Sequence, residues 1–208
     1  MNPDESPRTA PGTARPRWTS WDDLEREALA CTKCPLAVGR TQVVFGVGDR
    51  HADLVFVGEG PGAEEDRQGI PFVGRAGQLL TRLIEGIAMT RDDVYIANVV
   101  KCRPPGNRDP APLEIETCRP YLEAQLDFLQ PLVMVTLGNF ATKLLLDTKE
   151  GITKLRGQEF SVRDGATTVV PTLHPAAVLR NGGTALAQSR ADFVVVRRAL
   201  DRAQVAAR

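Results

Sequence analysis

Four short runs rich in β-branched and apolar residues punctuate this chain: DLVFVG (53–58), DVYIANVV (93–100), LVMVTLG (132–138) and TTVVPTL (167–173). Segments with helical periodicity lie between most of them or follow the last: AGQLLTRLIEGIAM (76–89), PLEIETCRPYLEAQLDFL (112–129), NFATKLLLD (139–147) and SRADFVVVRRALDRAQVAA (189–207). Strands alternating with helices predict an α/β fold with a parallel sheet covered by helices. No internal repeat interrupts the pattern.

Ligands of open α/β sheets sit outside the carboxyl ends of the strands. Here those ends carry GEGPG, NVVKCRPPGNR, LGN and LHPAAVLR, which hold the unusual residues of the chain. One cleft assembled from several loops is therefore expected.

The 208 residues, 42% of them apolar, suffice for one sizeable core, so a single domain is expected over 18–208. The first 17 residues, MNPDESPRTAPGTARPR, have almost nothing large and apolar and read as a disordered tail. Just after it, Ser20 is a plausible N-cap for a helix that ends near Cys31. The tail lacks the apolar segment of a signal peptide, and nowhere is there an uninterrupted apolar run of the roughly 18 residues a membrane span needs. A cytoplasmic monomer is expected. With 26 basic and 26 acidic residues, no global basic field attracts a polyanion, and any nucleic-acid contact must use local clusters.

Cys31 and Cys34 form a C-x2-C pair; Cys102 and Cys118 are separated by a longer interval. Four thiolates suit zinc or an iron-sulfur cluster, and spacing alone does not choose between them, although two tight pairs would be more usual for structural zinc. Buried free thiols and disulfides are the alternatives; an intracellular setting and the tight first pair weigh against disulfides. Whatever the centre, its position marks a structural clamp beside the cleft.

The loop Gly58-Glu59-Gly60-Pro61-Gly62-Ala63 fits the G-x-G-x-x-A form of a dinucleotide fingerprint. A pyrophosphate needs positive potential there, yet Glu59 lies inside the loop and Glu64-Glu65-Asp66 follow it. No Gly-Lys-Ser/Thr follows, which excludes a P-loop. The acids better suit a neutral planar ligand or a sugar carbon developing positive charge, with Phe72, between Pro71 and Val73, as a stacking face.

Taken together, GEGPGAEEDRQGIPFVGRAG, NVVKCRPPGNRDP, CRPYL and HPAAVLR, with the four cysteines, closely resemble the family 4 uracil-DNA glycosylases, over about Leu24 to Arg180. The resemblance implies an α/β/α sandwich on a central four-stranded parallel sheet. It also implies a 4Fe-4S cluster on Cys31, Cys34, Cys102 and Cys118, and hydrolysis of the N-glycosidic bond of deoxyuridine in single- or double-stranded DNA.

A base inside a duplex must be flipped out before such chemistry. By the resemblance, Phe72 stacks on the flipped uracil, Asn98 pairs with its N3–H and O4, and His174 approaches O2, where charge develops. Glu59 and Glu65 line the pocket, Gly60 lends backbone to the base, and Leu179 and Arg180 belong to a loop that wedges into the duplex. Other glycosylase families carry an aspartate at the position of Gly60; here the water-activating role is assigned to Glu59. Lys101, Arg103, Arg108, Arg75, Lys154 and Arg156 are candidate phosphate contacts, and His51 is read as an ordinary loop residue.

Three rivals make distinct demands. A relative that crosslinks to abasic DNA needs a histidine on an inserted basic loop, and none lies between Lys101 and Cys118. A non-catalytic DNA-binding module would keep the cluster and lose base release. A nucleotide-binding oxidoreductase would rest on the glycine fingerprint alone.

Overall fold

The computed structural model describes residues 18–207; the expected disordered tail, 1–17, lies outside the described residues. Four strands form a parallel core: β2 (Leu54–Gly58), β3 (Tyr95–Asn98), β4 (Val133–Leu137) and β6 (Thr167–Thr172), each at one of the four apolar runs. Two further strands, β1 (Val47–Gly48) and β5 (Phe160–Val162), pair antiparallel at the two edges and give the order β1-β3-β2-β4-β6-β5. The sheet is thus six-stranded, not four-stranded. At two and three residues, the edge strands are too short for a period-2 pattern to register.

The helices are α1 (Trp21–Leu29), α2 (Leu36–Gly39), α3 (Ala63–Gln68), α4 (Arg75–Glu85), α5 (Pro112–Leu129), α6 (Asn139–Leu146), α7 (Ile152–Leu155), α8 (Pro175–Asn181) and α9 (Gly183–Ala206). Ser20 caps α1 as expected, its hydroxyl accepting the Asp23 N–H, and Cys31 follows just beyond the helix. Residues 176–180, expected as a loop, are helical: Pro175 occupies the first turn of α8, where its missing N–H costs nothing.

Alternation along each strand divides the core into two. Val55, Val57, Tyr95, Ala97, Met134 and Val169 pack with Leu24, Tyr121, Leu122 and Leu126, from α1 and α5. Leu54, Phe56, Ile96, Val133, Val135 and Val170 pack on the other face with Leu80, Ile84, Phe193 and Val196, from α4 and α9. That is the expected α/β/α sandwich. The β2-to-β3 connection runs through α4 on one face and the β3-to-β4 connection through α5 on the other, and β2 lies between β3 and β4. A crevice opens at such a reversal, outside the carboxyl ends. Among the described residues, no helix is long and apolar enough to cross a membrane.

Candidate active site

The crevice is a cavity of about 520 Å³ lined by the loops after all four parallel strands: Glu59 to Gly62 after β2, Asn98 ending β3, Gly138 to Phe140 after β4, and Leu173 and His174 after β6. Six of the expected residues, Glu59, Gly60, Glu65, Phe72, Asn98 and His174, meet here, and Arg180 joins them from α8. Leu179 does not: it points to a neighbouring groove.

Asn98 is buried at the strand end, and its Oδ1 has no hydrogen-bond partner among the described residues. A buried carbonyl oxygen left unpaired costs about 1–3 kcal/mol, so an orphan at the wall of a cavity calls for a donor from a ligand. Gly58, paired with Asn98 across the ladder, makes room for it: a Cβ there would sit 2.5 Å from Asn98 Oδ1 and 2.6 Å from Phe72 Cζ.

Phe72 is buried in the left-handed region at φ 54°, a costly backbone for a bulky side chain. Three groups hold it there. Arg91 donates to the carbonyls of Pro71 and Phe72 at 2.9 and 3.1 Å. The Glu65 carboxylate accepts the Val73 and Gly74 N–H groups at 3.0 and 2.9 Å. Gly77 lets the Phe72 carbonyl approach so closely that a Cβ would overlap it. The ring consequently lies against the cavity, 5.7 Å centroid to centroid from the His174 imidazole.

Glu65 therefore spends one oxygen on positioning the Phe72 loop. Its neighbour Asp66 is buried and accepts from the Thr41 and Gln42 N–H groups, and Glu64 pairs with Arg67. The acidic run after the glycine loop is largely an anchor.

His174 caps α8: its Nδ1 accepts the Ala176 N–H at 3.2 Å, which leaves the proton on Nε2. Burial first, then the nearby Arg180 charge, lowers its pKa to about 4, so the ring is a neutral N–H donor at physiological pH. Glu59 moves the opposite way, up to about 7, through burial and the charge of Asp109, partly offset by Arg180. Asp109 lines the cavity and was not singled out from sequence; the stretch NRDP contains it, but only the fold brings it near Glu59.

The four cysteines line one small pocket with Lys101 and Arg40. They come from the end of α1, the start of α2, the loop after β3, and α5, so a group bound there ties distant segments together. The Lys101 N–H donates to Cys118 Sγ at 3.3 Å and Arg40 donates to Cys102 Sγ at 3.4 Å. Burial pushes the Cys118 thiol up to about 11 and raises Cys102 as well, so a metal centre must displace their protons. Among the described residues, no group of three or more His, Cys, Asp or Glu stands ready to hold a metal ion.

Lys101 requires a correction. It is only 2% exposed, and its ammonium donates to the Asn98 carbonyl at 2.9 Å and to Gln125 Oε1, so it cannot reach a phosphate. Its true position links the cysteine pocket to the strand end that carries Asn98. Among the other candidate phosphate contacts, Arg108 is held by Glu114, Arg156 by buried Asp192, Lys154 by Glu150, and Arg103 by Asn107. Arg75 is exposed and makes no ion pair among the described residues. His51 is an exposed loop residue, as expected.

The chain belongs to the uracil DNA glycosylase superfamily, whose family model matches residues 45–200. More narrowly, it is 46% identical to the Type-4 uracil-DNA glycosylase of Archaeoglobus fulgidus, over 77% of this chain and 83% of that protein. It is 51% identical to the Type-4 uracil-DNA glycosylase of Thermotoga maritima, over 73% of this chain and 79% of that protein. The Type-5 uracil-DNA glycosylase of Pyrobaculum aerophilum is more distant, at 27% identity over 86% of this chain and 92% of that protein.

Proposed function

We propose that this protein excises uracil from DNA, hydrolysing the N-glycosidic bond of a flipped deoxyuridine and leaving an abasic site. The observation that carries this reading is the orphaned side-chain oxygen of Asn98, a residue that lines the cavity together with Phe72. An amide there accepts from uracil N3–H and donates to O4, while cytosine offers the reverse pattern. Phe72 stacks on the base, held by Arg91, Glu65 and Gly77.

As the bond to C1′ breaks, uracil leaves with its electron pair and negative charge gathers on O2. The neutral His174 donates Nε2–H to that oxygen; a preorganised donor lowers the barrier without reorganising. Water adds to C1′ and its proton passes to the Glu59 carboxylate, whose pKa near 7 suits a base at neutral pH. Glu65 acts by positioning Phe72, and Gly60 presents backbone to the base.

Cys31, Cys34, Cys102 and Cys118 are proposed to hold a 4Fe-4S cluster that braces the fold beside the cavity. Support comes from their convergence on one pocket with two donors aimed at sulfur. The protein is further proposed to act as a cytoplasmic monomer. The reading is tested with Asn98→Asp, which replaces the amide donor by a carboxylate: uracil excision should fall at least about 100-fold with the fold intact. An unchanged rate would remove Asn98 from the site. Metal analysis should find about four irons per chain, and stoichiometric zinc would refute the cluster.

A further inference from the structure

Helix α8 is a ridge between two depressions. Ala176, Ala177 and Arg180 face the cavity that receives the base, whereas Val178 and Leu179 line a second groove of about 320 Å³. The floor of this groove is apolar, from Leu79, Leu83 and Leu186, and its walls include Arg82 on α4 and Arg190 on α9. No lining residue is acidic. Both arginines are exposed and make no ion pair among the described residues, in contrast to Arg67, Arg108 and Arg156. Leu179, on the crest, is 41% exposed.

We propose that this groove binds the backbone of the DNA strand opposite the uracil, with Arg82 and Arg190 on its phosphates and the apolar floor under its sugars. Geometry assigns the groove to that strand, given the glycosylase reading on which the assignment rests. When the base enters the cavity on one flank of α8, its own strand lies on that flank. The crest enters the gap in the stack, and the complementary strand then falls on the other flank, where the groove is. Two unpaired guanidiniums in a protein of zero net charge supply the local field that such a strand needs. Single-stranded DNA has nothing to place in the groove, so Arg82 and Arg190 serve duplex binding alone.

The test measures binding of the full-length protein by fluorescence anisotropy across a salt series. The probe is one oligonucleotide carrying a 2′-fluoro-deoxyuridine that resists excision, used single-stranded and annealed. The variants are Arg82→Gln, Arg190→Gln and the double variant, with Arg198→Gln, exposed on α9 away from the groove, as control. For the duplex, the slope of log K against log salt should shrink by about 0.9 for each phosphate that is no longer neutralised, close to 2 in the double variant. The single strand should bind all variants alike. An unchanged duplex slope, or an equal decrease on the single strand, would overturn the proposal. Excision of ordinary uracil by the wild type is scored separately: its absence beside a duplex-specific slope change would retire the glycosylase reading and leave the groove standing.

Discussion

Replacing Gly58 by alanine tests the packing that places base and amide together. The added Cβ would lie 2.5 Å from Asn98 Oδ1 and 2.6 and 2.7 Å from Phe72 Cζ and Cε2. Non-bonded carbons rest at about 3.5–4.0 Å, so the phenyl ring must retreat by roughly 1 Å. It cannot do so freely, because Arg91, Glu65 and Gly77 fix its backbone at φ 54°. The methyl group should therefore cost about 1–3 kcal/mol of stability as overpacking. A misplacement of about 1 Å in a positioning group costs up to about 100-fold in rate, some 2.7 kcal/mol of barrier. Single-turnover excision from a labelled uracil oligonucleotide and a thermal melt should show that large rate loss beside a modest fall in Tm. Gly39→Ala, at a site with open space around it, should change neither. A Gly58→Ala rate within about threefold of wild type would refute the argument that Asn98 and Phe72 are jointly set by this glycine.

With Glu59 proposed as the base and its pKa raised by burial to about 7, the single-turnover rate should rise with pH through about 7 and then level; Glu59→Gln should remove that rise, and a wild-type profile already flat across it would exclude Glu59 as the base. His174 has a folded pKa of about 4 against an ordinary 6.5, so the unfolded chain binds its proton first on acidification. The stability it contributes is present above about 6.5 and lost as pH falls through 4; denaturant melts of wild type and His174→Ala should converge in that window, and a constant gap would contradict the shift. Lys101→Met leaves the Asn98 carbonyl and Gln125 Oε1 without their donor, at about 1–3 kcal/mol for each unpaired group, and should lower Tm by several degrees; an unchanged Tm would show that the buried contact is not needed.

Much of the fold was legible because burial imposes continuous apolar runs on the parallel strands and helical spacing on their covers. PLEIETCRPYLEAQLDFL matches α5 end to end, and Ser20 caps α1 as its chemistry suggests. The edge strands were not legible, since two or three residues carry no period. Nor was α8, whose cap is the imidazole of His174 rather than a usual Ser, Thr, Asp or Asn. The crowded site positions stood out as residues odd for their setting: a Phe among Pro and Gly, an Asn ending a strand, a His before Pro. What escaped was every role fixed by a distant partner. Lys101 looked like a surface cation until Gln125, 24 residues on, enclosed it, and Arg156 looked free until Asp192, 36 residues on, took its guanidinium. Glu65 looked like a pocket acid, and only the fold shows it accepting from the loop that holds Phe72.

The most direct test of the central claim is incubation with a labelled duplex containing one uracil, followed by alkali and a denaturing gel, beside a thymine control. Cleavage confined to the uracil lane is the expected result. An intact uracil strand with folded, iron-loaded protein would contradict the account and leave a DNA-binding module in its place.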